Sequence, residues 1–317
     1  MENSRIIFMG TATFSQAVLE KLIEKKYNIV LVVTQPDRKV GRKKEVKMPE
    51  VKEVALAHGI PVFQPNRIKE DYQLIIDEKA DLIITAAYGQ LIPQVVLDAP
   101  RLGCVNVHAS LLPKYRGGAP VHQAIIDGND HTGVTIMYMV KKMDAGDMIA
   151  SKKEPIYSED TVGSLYERLS HVGAELLMEV LPSILDGTNP HIQQDESQVT
   201  YAPIIKHEQE HVDFMTTAFL VDCKIRGLNP WPGAYTTYQG KTVKLWAGKT
   251  HVCENAMKHH GHEKNGTIVK LFKDAIGVKV EDGVYLLTEI QLEGKRKMLV
   301  KDLMNGHHPF IVGECFE

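Results

Sequence analysis

Residues 104–120 read CVNVHASLLPKYRGGAP, and two side chains in this run suit a reaction that builds negative charge on oxygen. Asn106 and His108 alternate along the end of an apolar stretch. On a strand they project from one face, about 7 Å apart. An amide donor beside an imidazole stabilises a developing oxyanion, and the imidazole can also carry a proton. Further on, Met143-Asp144-Ala145-Gly146-Asp147 follows another apolar run and supplies carboxylates to pair with the histidine. The alternative is structural: a buried Asn and His satisfy loop backbone while Asp144 makes a turn. Residue types alone leave both readings open.

The elements that must position these residues follow from periodicity. Residues 6–9, 29–33, 61–63, 81–86 and 104–108 read as short apolar strands. Between them, residues 15–26, 49–58 and 72–78 have helical spacing. Strand–helix alternation with continuous apolar strands predicts a parallel sheet covered on both faces. Such a sheet binds ligands beyond the carboxyl ends of its strands, where Asn106 and His108 lie. Residues 132–139 and 148–156 extend the sheet, and 161–186 form a long helix. From Thr188 to about Lys206 the pattern fades into polar residues with Pro190 and Pro203, which suits a linker. Beyond it, residues 236–243 and 278–285 each set a turn between alternating runs, the pattern of β-hairpins. The organisation read is a catalytic domain over 1–189, a linker over 190–206 and a small closed β-domain over 207–317, with one helix near 209–226.

The first strand–helix turn, Gly10-Thr11-Ala12-Thr13-Phe14-Ser15, lacks the G-x-G-x-x-G spacing that wraps a pyrophosphate. No G-x-x-x-x-G-K-[ST] occurs in the sequence either. A nicotinamide enzyme and a P-loop NTPase are therefore set aside despite the alternating pattern.

With 317 residues, 44% hydrophobic and 24% charged, the chain has enough apolar material for one large or two ordinary globular domains. No run reaches the ~18 apolar residues of a membrane span, and the first residues do not read as a signal peptide. Cys104, Cys223, Cys253 and Cys315 form no C-x-x-C pair, so free thiols in a reducing cytoplasm are expected. The net charge of -3 does not mark a nucleic-acid binder. Locally, Arg38, Lys39, Arg42, Lys43, Lys44 and Lys47 crowd one segment against Glu45. Taken alone such a run reads as a solvated face. Its position at the carboxyl edge of the second strand would also let it hold phosphates. His251, His259, His260 and His262 have polar neighbours and read as an exposed loop rather than a metal site. Trp231, between two prolines, reads as a packing anchor.

Asn106, His108, Ser110-Leu111-Leu112-Pro113, Arg116-Gly117-Gly118-Ala119-Pro120 and Asp144-Ala145-Gly146-Asp147 together resemble the 10-formyltetrahydrofolate-dependent formyltransferases. Gln35-Pro36-Asp37-Arg38 with the basic segment 41–44, Asn229 to Tyr235, and Lys301-Asp302 to Asn305-Gly306 resemble the branch whose acceptor is methionyl-tRNA. The resemblance spans the whole chain. Ala12 departs from it, since the family usually has proline after Gly-Thr, which bears on loop stiffness more than on chemistry.

The resemblance implies an α/β fold: a Rossmann-like formyltransferase domain with a parallel-rich sheet, then a small OB-fold-like β-barrel domain that binds tRNA. It implies transfer of a formyl group from 10-formyltetrahydrofolate to the α-amino group of methionine on initiator tRNA. Asn106, His108 and Asp144 are the catalytic residues. Tyr88, Gly89, Gln90, Ser110, Leu111, Leu112 and Pro113 lie against the folate, and Arg38, Arg42, Lys43 and Lys44 bind tRNA. No metal is needed, and the reading is of a cytoplasmic monomer with no membrane partner. Three other readings stay open: transfer to a small amine, hydrolysis of the formyl folate, and an RNA-binding chain with an inactive folate pocket.

Overall fold

The computed structural model describes residues 4–40, 45–251 and 262–317. Its contacts group the chain into two compact units. The first comprises residues 1–120, His131–Pro155 and Tyr166–Pro203. It contains strands β1 (Ile6–Gly10), β2 (Ile29–Val33), β3 (Arg38–Val40), β4 (Glu45–Lys47), β5 (Val62–Phe63), β6 (Leu82–Ala86) and β7 (Cys104–His108). Helices α1 (Thr13–Glu24), α2 (Glu50–Ala57), α3 (Gln73–Asp77) and α4 (Gln94–Leu97) fall between them. After α5 (Pro120–Ile126) come β8 (His131–Tyr138), β9 (Met148–Pro155) and the long α6 (Val162–Asp186).

The main sheet runs β5-β2-β1-β6-β7-β8-β9. Every residue of β1 and β6 is buried, which is why these strands read as unbroken apolar runs. Pairing is parallel from β5 to β7 and antiparallel from β7 to β9. Only residues 139–147 join β8 to β9, too few for the crossover a parallel pair requires. On one face Ile7, Met9, Leu31, Val33, Ile83 and Cys104 pack with Ile75, Val96 and Leu97. The chain turns outward in opposite directions from β1 and β6, so a crevice opens beyond their carboxyl ends. Gly10 closes the first turn there, because a Cβ would lie 2.5 Å from that of Ser15 and 2.9 Å from the Ala86 carbonyl.

Residues 190–203, read from sequence within a linker, belong to this first unit. They form a strap along it. Met148 and Ile192 exchange backbone hydrogen bonds of 2.8 and 2.9 Å. Arg116 N donates to Thr200 O at 2.9 Å, and Ala202 N to Arg116 O at 2.8 Å. A strap held by backbone pairing shows no apolar period, so its sequence reads as loop.

The second unit comprises Val121–Asp130, Ile156–Leu165 and Ile204–Glu317. Two segments from earlier in the chain thus group with the C-terminal part. The expected helix near 209–226 is shorter: a 3-10 turn spans His207–Glu210 and α7 spans Ala218–Gly227. Thr217 caps α7 by accepting from Leu220 N at 3.3 Å, and Asp282 accepts from Ala218 N at 2.7 Å. Strands β10 (Tyr235–Tyr238), β11 (Lys241–His251), β12 (Ile268–Leu271), β13 (Ile276–Val280), β14 (Gly283–Leu292) and β15 (Met298–Leu299) precede α8 (Val300–Met304). They pair antiparallel in the order β10-β11-β14-β13-β12, with β15 on β14, giving the curled OB-fold-like sheet. Both expected hairpins are present, as β10–β11 and β13–β14. No helix among the described residues is long and apolar enough to cross a membrane.

Candidate active site

Asn106 and His108 occupy the carboxyl half of β7, between β6 and β8. In register, Asn106 faces Thr85 on one side and Met137 on the other, while His108 faces Thr135. The buried Thr85 hydroxyl donates to Asn106 Oδ1 at 2.8 Å and also lies 3.2 Å from Val105 O and Met139 Sδ. Nδ2 of Asn106 has no hydrogen-bond partner among the described residues. The amide is therefore held by its oxygen with its donor free.

His108 is buried, and both ring nitrogens face acceptors. Nε2 lies 3.2 Å from Tyr115 O, and Nδ1 lies 3.8 Å from Asp144 Oδ1. The ring is thus set between a backbone carbonyl and a carboxylate, the two groups that orient it. The Asp144 carboxylate has a second tether, since Oδ2 accepts from Gly117 N at 2.8 Å. Asp144 has φ +50, a left-handed conformation that its short polar side chain tolerates. Asp144 and His108 are brought together by the turn after β8 and the loop after β7.

That loop is fixed from beneath by Thr135. Its hydroxyl donates to Ser110 O at 2.7 Å and accepts from Leu112 N at 3.2 Å. Ser110 Oγ donates to Lys114 O at 2.7 Å. Gly117, with φ +128, cannot carry a side chain, because a Cβ would sit 2.5 Å from Ala202 O. Sequence reading passed over Arg116 as a functional residue. It is only 1% exposed, and its Nε and Nη2 donate to Gln194 Oε1 at 3.0 and 2.8 Å. Nη2 also meets Glu196 Oε1 at 2.8 Å. Only the contiguity of Arg116 with the Ser-Leu-Leu-Pro run could have flagged it.

The expected folate residues separate into two kinds. The Tyr88 ring is packed in the core beside Ile68, Ile75 and Val96, and burial pushes its hydroxyl up to about 12. Only its backbone faces the crevice, where Tyr88 O accepts from Thr11 Oγ1 at 3.0 Å and Gln35 Nε2 at 3.2 Å. Gly89, with φ +85, and Gln90 make no backbone hydrogen bond among the described residues, so their N–H and C=O groups are free to read a heterocycle edge. The Gln90 side chain is engaged: Oε1 accepts from Ile68 N at 2.9 Å. Ser110 and Leu112 are buried, whereas Leu111 and Pro113 are half-buried.

Arg38 is exposed at the start of β3, with Nη2 3.5 Å from Gln35 Oε1. Arg42, Lys43 and Lys44 lie outside the described residues, as do His259, His260 and Cys253. Among the described residues no group of three His, Cys, Asp or Glu could hold a metal. Cys104 shares the β7 face with Asn106 but is buried, and burial, then the nearby Asp98, pushes its thiol up to about 12. It is no nucleophile.

The chain matches known proteins over nearly its whole length. The family described as formyl transferase matches residues 4–181, and the formyl transferase C-terminal domain matches 204–308. A methionyl-tRNA formyltransferase of Staphylococcus epidermidis is 49% identical over 98% of this chain and 99% of its own. One of Bacillus subtilis is 48% identical over 96% and 95%. Among solved structures, an N-formyltransferase of Helicobacter canadensis in complex with folinic acid and dTDP-3-aminofucose aligns with TM-score 0.68 at 18% identity, covering 93% of this chain and all of its own. HypX of Aquifex aeolicus in complex with tetrahydrofolic acid aligns with TM-score 0.64 at 20% identity, over 95% of this chain and 46% of its own. Those two likenesses concern the fold. The two family matches and the near-half identity over the full length establish that the chain belongs to the formyl transferase family, among its methionyl-tRNA formyltransferases.

Proposed function

We infer that this chain transfers the formyl group of 10-formyltetrahydrofolate to the α-amino group of methionine esterified to initiator tRNA, the step that prepares it for translation initiation. The observation that carries the chemistry is the convergence of Asn106, His108 and Asp144 at the carboxyl end of β7, with the Asn106 donor free and the His108 ring 3.8 Å from a tethered carboxylate.

The amine attacks the formyl carbon, and the carbonyl oxygen becomes an oxyanion. Asn106 Nδ2 donates to that oxygen, and the charged His108 ring stabilises it. The C–N10 bond then breaks. The proton lost by the amine passes through water held by Asp144 and is delivered to N10 of the folate. The free backbone of Gly89 and Gln90, with the Ser110–Pro113 loop, forms the bed for the folate ring.

Arg38, Arg42, Lys43 and Lys44 contact the tRNA backbone. In the second unit, Lys244 and Lys297 reach the Trp246 ring at 5.8 and 4.9 Å from its centre. Two basic side chains over an aromatic ring support an RNA-facing role for this unit, on which Lys241, Lys249, Lys295 and Arg296 are also exposed. The reaction runs in the cytoplasm and needs a single copy of the chain, since every proposed catalytic group comes from one unit.

Incubation with 10-formyltetrahydrofolate and charged initiator tRNA should give formylmethionyl-tRNA, with no product from free methionine or uncharged tRNA. Formate release at the same rate without any acceptor would make the chain a hydrolase and overturn the reading.

A further inference from the structure

The turn that carries Asp144 is held by a residue 50 positions away. Gln194, in the strap after α6, donates through Nε2 to Asp144 O at 2.9 Å and to Gly146 O at 2.8 Å. Its Oε1 accepts from Nε and Nη2 of Arg116 at 3.0 and 2.8 Å. An amide has two N–H donors and two lone pairs, and here all four are used. The orientation is thereby fixed, because a flipped amide would set N–H groups against the guanidinium and an oxygen against two carbonyls.

Arg116 is itself anchored. It is buried, and its backbone pairs with Thr200 and Ala202 in the same strap. The next residue, Gly117, supplies the N–H that holds Asp144 Oδ2. Arg116-Gly117 thus reaches Asp144 by two routes, directly to the carboxylate and through Gln194 to the backbone. The turn has little slack, since a Cβ on Gly146 would lie 2.0 Å from Tyr138 O.

We propose that Gln194, oriented by Arg116, is the positioning residue that sets the Asp144 carboxylate against His108. The inference rests on the reading that Asp144 acts with His108 in formyl transfer. It makes the strap part of the catalytic apparatus rather than a passive connection.

Gln194→Glu in the full-length chain keeps an acceptor for Arg116 but turns oxygen toward the Asp144 and Gly146 carbonyls. A displacement near 1 Å costs on the order of 10²-fold in rate, so kcat should fall roughly 10- to 100-fold while KM for folate and tRNA stays within about twofold. The deciding measurement is a cycle with Asp144→Asn. If Gln194 acts through Asp144, Gln194→Glu should cost almost nothing further once the carboxylate is gone. An equal fold-loss in both backgrounds, or no loss with Asp144 intact, overturns the positioning role. Gln194→Met, close in shape without the polar groups, repeats the cycle if the Glu variant does not fold. Full turnover by Asp144→Asn alone would instead sink the role of Asp144, and the proposal with it. A normal Asp144→Asn loss beside an additive Gln194 effect sinks only the positioning.

Discussion

The Thr85 hydroxyl donates to Asn106 Oδ1 across the β6–β7 pair at 2.8 Å, and so decides which end of the Asn106 amide is free. With the oxygen occupied, the N–H end is the one available to a developing oxyanion. Thr85→Val keeps the shape of this buried side chain and removes the donor. A neutral hydrogen bond contributes about 1 kcal/mol, which corresponds to roughly a fivefold loss of kcat. Folate affinity should be unchanged and Thr85→Ser should recover the rate. Steady-state kinetics beside equilibrium folate binding would test this, and a Thr85→Val enzyme with normal kcat would remove Thr85 from the mechanism.

Asn106→Ala should lower turnover about 10²- to 10³-fold, the usual loss for one oxyanion donor. His108→Ala and Asp144→Ala should be at least as damaging. Because the three act as a unit, the triple variant should be little worse than the worst single one. Fully multiplicative losses in single-turnover formylation would show that they act independently.

Asn106 and His108 were legible because strand alternation is a local signal: two residues on one apolar run share a face whatever lies around them. Asp144 was legible through a turn motif and its resemblance, although its 3.8 Å approach to His108 depends on the β7–β8 pairing. Arg116 and Gln194 were not legible as a pair. They stand 78 residues apart, and Gln194 sits in a polar tract with no period to mark which residue turns inward. The direction of Tyr88 was hidden for another reason. It follows β6 after Ala87, whose φ of +42 breaks the alternation and sends the ring into the core.

That burial makes a test of its own. The Tyr88 hydroxyl has no hydrogen-bond partner among the described residues. Removing an unpaired buried hydroxyl costs nothing in hydrogen bonding, so Tyr88→Phe should leave the melting temperature unchanged or slightly higher. KM for the folate should be unaltered, because only the backbone at this position faces the crevice. A clear rise in KM would return the ring to the binding site.

The outer end of the Arg116 network sets a pH dependence. The hydrogen bond from Arg116, then that from Lys142, holds the Glu196 carboxyl down at about 2 against its ordinary 4.5. A lowered folded-state value means that the stabilisation is complete above 4.5 and is lost as pH falls from there toward 2. Glu196→Gln should therefore lower the melting temperature most near neutrality, and the gap from wild type should shrink below pH 4.5. Thermal melts across that range would decide it, and a gap that widened in acid would contradict the assignment.

Removing residues 204–317 should leave the parallel sheet intact but not a well-behaved protein. From sequence, the first part of the chain looks able to fold alone. In the structure, Val121–Asp130 and Ile156–Leu165 group with the C-terminal residues instead. Ile126 packs against the second unit's core, close enough that a Cβ on Gly227 would lie 2.7 Å from its Cγ1. Gly163 N donates to Asn229 O at 3.2 Å, and Arg226 Nη1 donates to Asp160 O at 2.7 Å. A chain ending at Pro203 exposes Ile126 and frees these backbone groups while the site residues keep their own scaffold. It should melt several degrees lower than the full chain and bind a hydrophobic dye that the full chain does not. A cooperative melt at the full-length temperature, without dye binding, would show that the first part of the chain holds both segments unaided.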